Sequence, residues 1–232
     1  MTIAVLVITD GRDDYLGHCV ASLDRLHGDI VEWWMFDDTG DDAYRAELAR
    51  RHRRFELVHD GPRRGCAGAF AAARAHLRDH SQADHLVTIE QDFVLLRDIP
   101  LDDMAGLLDD RPHLVQVALR RQAWNGDERR HGGVVESNPT QYLDMADDHG
   151  RQWLEHRLFY TTNPGIERAS LLQIPWPAHR SGAFSEGTWH QRLLAEGTPE
   201  APGHQIAYAY WGARDSGVWV EHIGHRRAGT GY

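Results

Sequence analysis

The stretch that most constrains this chain runs His85-Leu86-Val87-Thr88-Ile89-Glu90-Gln91-Asp92. Leu86, Val87 and Ile89 form an apolar run of the kind found in a buried strand, and the run ends in two carboxylates spaced i, i+2. In an open α/β sheet, ligands bind beyond the carboxyl ends of the strands. Two acids buried there without a cation or polar partners would be costly. An ordinary strand end with solvated acids would need no ligand, so the rest of the chain has to decide between the two readings.

That chain alternates. Ile3–Thr9 reads as a first strand closed by Thr9-Asp10-Gly11-Arg12, and Asp13 or Asp14 is placed to cap a helix with apolar positions Leu16, Val20, Leu23 and Leu26. Residues 30–36 read as a second strand ending in Asp37-Asp38-Thr39-Gly40-Asp41-Asp42, residues 45–53 as a charged helix and 55–58 as a third strand. Gly61-Pro62 turns the chain into an alanine-rich helix over 65–77, small enough to press closely on a sheet. The acid-tipped strand follows, then a helix over 100–110 and a strand over 113–119. Strand and helix in alternation predict an α/β fold with a Rossmann-like, mostly parallel central sheet flanked by helices.

Residues 120–138 are polar and glycine-containing and read as a long loop. From Gln141 the pattern changes. Residues 142–145 and 153–160 read as strands, 169–172 as a helical turn stopped by Pro175-Trp176-Pro177, and Ser185 as the cap of a helix to Leu194 with Gly197 as its stop. Residues 206–211 and 218–222 read as closing strands.

At 232 residues the chain suits one domain with an elaborated half. No apolar run is long enough to span a bilayer, and the first strand has no basic flank of the kind a signal peptide carries. Cys19 and Cys66 are too few for a disulfide framework, so a reducing, cytoplasmic setting and no membrane insertion are expected. Every basic side chain is arginine, and the formal net charge is −10, which argues against a protein that coats nucleic acid. Arginine pairs at 50–51, 53–54, 63–64, 120–121, 129–130 and 226–227 are either solvated faces or a track for phosphates.

The order of these signals resembles the GT-A fold nucleotide-sugar glycosyltransferases, above all the inverting family 2. The residues that carry the resemblance are Val7-Ile8-Thr9-Asp10-Gly11-Arg12, Phe36-Asp37-Asp38-Thr39-Gly40, Arg64-Gly65-Cys66-Ala67-Gly68-Ala69, Glu90-Gln91-Asp92, Phe184-Ser185-Glu186 and His222-Ile223-Gly224. The resemblance implies a nucleotide-sugar-binding half at 1–119 and an acceptor-binding half at 120–232. It implies a hexosyl- or pentosyltransferase that moves a sugar from a nucleoside diphosphate donor, UDP above others, to a hydroxyl of a glycan, a protein or a DNA base with inversion.

Under that resemblance, Asp92 and His222 are ligands of Mn2+ or Mg2+, which stabilises the departing diphosphate. An imidazole ligand favours manganese. His225 is a weaker candidate. Glu90 faces the ribose or a metal-bound water, with Gln91 beside it; the family usually has Asp where Glu90 stands. Asp37 or Asp38 reads the base, with Thr9, Asp10, Gly11 and Arg12 across from it, while Gly65 and Gly68 permit close backbone approach at a helix start and Arg64 or Arg74 stands in for the family's customary nucleotide contact. The family often continues this helix with Ala-Arg-Asn, where this chain has Ala69-Phe70-Ala71. Glu186 is the base that deprotonates the acceptor, and Trp189 is an acceptor platform or a core residue. The tail from Arg226 to Tyr232 either folds over the diphosphate or frays.

A GT-A domain that binds a nucleotide sugar without turnover would keep Asp92 and not need Glu186. A sugar-nucleotide pyrophosphorylase would carry a Gly-x-Gly-Thr-Arg turn after strand one, and a zinc hydrolase a His-Glu-x-x-His; neither pattern is present.

Overall fold

The first strand shows how the molecule is layered. In β1 (Ile3–Thr9) every side chain is buried, and successive residues point to opposite faces of the sheet. Ile3, Val5 and Val7 join one apolar cluster, while Ala4, Leu6 and Ile8 join another. A strand covered on both faces is the hallmark of a sheet sandwiched by helices. The structure is a computed structural model, and it describes residues 1–58, 61–178 and 185–224. His225, the tail from Arg226 and Phe184 lie outside the described residues.

Around β1 the N-terminal half is parallel. β1 pairs with β3 (Ile30–Asp37) and β5 (His85–Glu90), and β3 pairs with β4 (Glu56–Val58). A small pair, β2 (Leu26–His27) with β7 (Ile99–Pro100), lies apart from the main sheet. Helices α1 (Asp13–Ser22) and α4 (Leu101–Asp110) cover one face with Leu16, Cys19, Met104 and Leu108. Helix α3 (Gly65–His80) covers the other with Ala69, Phe70, Ala73 and Leu77. Each fully buried side chain of the Leu or Phe class contributes about 1.5–3 kcal/mol.

The C-terminal half completes a nine-stranded sheet in the order β4-β3-β1-β5-β11-β8-β12-β10-β9. Here β8 is Leu114–Ala118, β9 Leu143–Ala146, β10 Gln152–His156, β11 Gly165–Arg168 and β12 Ala207–Trp211. Strand β11, which the sequence reading passed over, is antiparallel to both β5 and β8. The sheet is therefore parallel from β4 to β5 and mixed beyond. Gly165 explains the close fit, because a Cβ there would meet the Ala118 Cα at 2.8 Å and the Val117 carbonyl at 2.9 Å.

Four expectations change. Residues 120–138 are not one loop but contain α5 (Gly126–His131) and α6 (Val134–Ser137). Asn125 caps α5 by accepting from the Asp127 and Glu128 N–H groups. Asp13 and Asp14 lie in the first turn of α1 with Arg12 at the cap position, and the charged helix α2 (Asp42–Arg51) begins earlier because Asp41 caps it. Ser185 is the first residue of α7 (Ser185–Glu196), so it lies inside the helix. Gly197 stops that helix in the left-handed region (φ +79°).

Candidate active site

Because β1 and β5 run side by side, their carboxyl ends deliver Thr9, Asp10, Glu90, Gln91 and Asp92 to one place. Ile8 is in register with Glu90, and the Gln91 N–H donates to the Ile8 carbonyl at 2.9 Å. The Gln91 side chain joins the two strand ends. Its Oε1 accepts from the Thr9 hydroxyl and from the Asp10 N–H (3.2 Å), and its Nε2 donates to Asp10 Oδ1. Arg12 extends the network, donating from Nε to Asp10 Oδ1 (2.8 Å) and from Nη2 to Asp92 Oδ2 (3.2 Å). Burial works against the Arg12 charge, but the Asp10 hydrogen bond and the fields of Asp92 and Asp10 raise its pKa above the ordinary value. Gly11 sits in the turn, where a Cβ would meet the Thr39 methyl at 2.7 Å.

Asp92 turns the chain into β6 (Phe93–Leu95), which pairs antiparallel with β13 (Val220–His222). That pairing sets His222 opposite Phe93, with the Ile223 N–H donating to the Asp92 carbonyl at 2.8 Å. His222 Nε2 lies 3.4 Å from Asp92 Oδ2. Burial would raise the Asp92 pKa, but the His222 hydrogen bond, with His222 and Arg12 charge, holds it below the carboxylate range. Glu90 moves the other way, pushed up by burial and then by the negative charges of Asp92 and Glu186. Two neighbouring carboxylates are thus shifted in opposite directions by their surroundings.

The donor set suits a hard cation. Asp92 Oδ1 is buried without a hydrogen-bond partner. A Cβ on Gly224 would collide with Asp92 Oδ2 and lie 2.9 Å from His222 Nε2, so the bare glycine leaves that space open. No third His, Cys, Asp or Glu joins the pair among the described residues. An ion held by Asp92 and His222 would complete its shell with substrate oxygens and water.

The acids at the end of β3 have local work. Asp37 is buried and accepts from the Thr39 hydroxyl (2.6 Å) and N–H (3.2 Å), with the Arg45 guanidinium 3.9 Å away. Burial, ahead of those bonds, raises its pKa. Asp38 accepts from the Arg64 and Gly65 N–H groups, both at 2.8 Å, and so occupies the amino end of α3 that the sequence reading reserved for the donor. Arg64 is exposed there, and the Cys66 thiol lies 3.9 Å from Glu90 Oε2. Burial, then Glu90, pushes that thiol up, so it is no thiolate.

Glu186, in the first turn of α7, faces a cleft of about 370 Å3 that Asn125, Glu128, Asn138, Tyr160, Asn163 and Tyr210 help to line. Its Oε1 accepts from the Thr162 N–H at 2.5 Å. Trp189 is not a platform on that cleft. It is 0% exposed and packs against Trp176 and Tyr160, with the Arg74 guanidinium 5.2 Å from its ring. Sequence reasoning missed Gln122, Trp124, Glu128 and Thr162. Glu128 orders the approach to α5, accepting from the Trp124 N–H (2.7 Å), Asn125 Nδ2 (2.8 Å) and both terminal nitrogens of Arg121 (2.6 and 3.1 Å). A lone tryptophan in an otherwise polar stretch was the one available signal.

No protein-family model matches the sequence, and no curated protein matches it. Solved structures do. Residues 1–349 of TarS from S. aureus superpose with a TM-score of 0.60 at 17% identity, over 97% of this chain and 61% of that one. The same protein in complex with UDP-GlcNAc gives 0.58 at 17% identity, over 98% and 62%. The mannosyltransferase PcManGT from Pyrobaculum calidifontis, in complex with GDP-Man and Mn2+, gives 0.60 at 13% identity, over 97% and 58%. The fold is that of the GT-A nucleotide-sugar glycosyltransferases. The present chain spans about three fifths of the length of these GT-A structures. No helix among its described residues is long and apolar enough to cross a membrane.

Proposed function

We propose that the chain is a metal-dependent glycosyltransferase that moves a sugar from a nucleoside diphosphate sugar to a hydroxyl acceptor by a single inverting displacement. The observation that carries the reading is the buried Asp92 oxygen without a partner beside His222, at the end of the strand whose Glu90 lies in the field of both Asp92 and Glu186. Donor-side and acceptor-side acids thus share one neighbourhood.

In this reading Thr9, Asp10, Gly11 and Arg12, with Asp37 across from them, frame the nucleoside, and Gln91 keeps the two strand ends in register. Asp38 acts indirectly, by fixing the amino end of α3 with Arg64 and Gly65. Asp92 and His222 hold Mn2+ or Mg2+, which supplies positive charge to the departing diphosphate. Arg12, charged and already on Asp92, adds its own positive field on that side. Glu90, whose protonated form is favoured by burial and by its acidic neighbours, faces the ribose or a metal-bound water. Glu186, held by the Thr162 N–H, takes the proton from the acceptor hydroxyl. The acceptor oxygen bonds to the anomeric carbon, the bond from that carbon to phosphate oxygen breaks, and the diphosphate leaves with its electron pair.

UDP-sugars are the first donors to try, since UDP-GlcNAc occupies one structural neighbour, and GDP-mannose, which occupies another, is the second. Several members of the arginine pairs that kept DNA among the acceptors are engaged in ion pairs. Arg50, Arg51, Arg54, Arg121 and Arg130 face Glu47, Asp13, Asp24, Glu128 and Asp127 within 3.4 Å. That favours a glycan or a protein hydroxyl over a DNA base.

The test is release of nucleoside diphosphate from a panel of nucleotide sugars with Mn2+, with and without EDTA and with glycan, peptide and DNA acceptors. Metal-dependent release from one donor that disappears in Asp92→Ala supports transfer. Tight donor binding with no turnover on any acceptor would leave a binding module in its place.

A further inference from the structure

The stretch between β8 and α5 runs alongside the strand that carries His222. Arg121 forms a parallel bridge with Val220, and the Trp219 and Val220 N–H groups both donate to the Arg120 carbonyl, at 2.8 and 3.2 Å. Gln122 then grips His222 itself. Its Nε2 donates to the His222 carbonyl at 2.8 Å, and its Oε1 accepts from the His222 N–H at 2.9 Å. Two residues on, the Trp124 ring lies 4.0 Å from the imidazole, centroid to centroid, with the planes inclined by 32°. Phe93 stacks on the same imidazole at 4.6 Å and 13°.

An imidazole that binds an ion must be held at one place and in one plane, and removing a group that holds it typically costs about 10–100-fold in affinity. His222 sits on a three-residue strand whose neighbours Ile223 and Gly224 lead out of the described fold. A side chain so placed keeps its rotamer freedom unless something outside the strand removes it. The amide of Gln122 fixes the backbone on both sides of the residue, and the Trp124 ring restricts the imidazole plane. Glu128 touches both parts of this stretch: its carboxylate accepts from the Trp124 N–H and from Arg121 Nη1, which also donates to the Gln122 carbonyl at 2.9 Å, and Glu128 lines the cleft in front of Glu186.

We propose that Gln122 and Trp124 are positioning residues for His222 and that, through Glu128, they tie the wall of the acceptor cleft to the cation end of the donor site. The inference rests on Asp92 and His222 being the cation ligands. In a sugar transfer this arrangement makes the order of the acceptor-side wall a determinant of how firmly the donor-side ion is held.

The experiment titrates Mn2+ into the whole chain with UDP, and in parallel with GDP, and follows free Mn2+ by its EPR signal. The wild type binds, Asp92→Asn and His222→Ala lose the site, and Gln122→Ala and Trp124→Ala weaken Mn2+ binding about tenfold or more. Trp124→Phe, which keeps a ring over the imidazole, stays near wild type, and excess Mn2+ restores turnover to Gln122→Ala. Thermal midpoints taken alongside separate this from unfolding, and Glu128→Gln gives an independent lesion outside the Gln122–His222 contact that weakens Mn2+ in the same direction. Wild-type Mn2+ affinity in Gln122→Ala and Trp124→Ala, with the site lost in Asp92→Asn, overturns the positioning role alone. Mn2+ binding that survives both Asp92→Asn and His222→Ala overturns the cation reading itself, and the inference with it.

Discussion

On the side proposed to hold the donor, Thr9, Asp10, Arg12, Gln91 and Asp92 are joined side chain to side chain, mostly buried, across two adjacent parallel strands. On the side proposed to receive the acceptor, Glu186 leans on a backbone N–H from a turn and looks into an open cleft built from short helices and loops. The first is a preorganised set of charges whose positions the sheet dictates, while the second is a shaped space whose walls come from segments 120–138 and 159–163. Electrostatic work on a leaving group demands rigidity, whereas acceptor choice can change with the loops while the scaffold stays.

Mutation should separate the two walls most sharply at their acids. Asp92→Ala is expected to abolish diphosphate release with and without acceptor. Glu186→Gln should leave the donor dissociation constant unchanged and slow transfer by about 10²–10⁴, the usual worth of a positioned base. Equal loss of donor binding in both variants would erase the distinction.

A buried Arg74–Glu167 pair ties α3 to β11, with Tyr160 donating to the same carboxylate at 3.0 Å. Arg74→Met strands Glu167 without its cation, and urea unfolding should show a loss of about 3–5 kcal/mol. Less than about 1 kcal/mol would mean that the pair contributes little to holding α3 on β11.

A smaller effect lies behind the acceptor wall. Burial, ahead of the nearby His190, pushes His156 down to about 3 from its ordinary 6.5. Its contribution to stability is complete above pH 6.5 and is lost as pH falls toward 3, because only the unfolded chain takes up the proton in that range. His156→Phe, an aromatic swap among Tyr142, Tyr208 and Tyr210, should flatten the acid limb of stability against pH by about 1.4 kcal/mol per unit. An unchanged slope would place that proton elsewhere.

The smallest effect tests Asp38. As the cap of α3, Asp38→Ala should cost about 1 kcal/mol of stability and change KM for the donor little. A large KM effect at unchanged stability would return Asp38 to the nucleoside.

Much of the donor wall was legible because its signals are local. Near-continuous apolar runs name β1, β3 and β5, and a carboxylate at the end of such a run can be read from its neighbours alone. Trp189 shows the limit, since an aromatic beside Glu186 on one helix looks the same in sequence whether it faces a cleft or the core. Strand β11 escaped because its four residues carry no periodic pattern. A glycine that permits close strand contact, a glutamate buried against Arg74 and an arginine that donates to the Leu114 carbonyl make sense only once β11 lies between β5 and β8.

The sequence by itself determined the alternation of strand and helix and the acids that tip the strands, because side-chain period and turn chemistry act over a few residues. Only the tertiary structure decided that Asp38 caps a helix more than twenty residues away and that Gln122 holds a histidine one hundred residues later. Those partners are chosen by how strands order themselves in a sheet, and strand order is settled by burial of whole faces rather than by any neighbour along the chain.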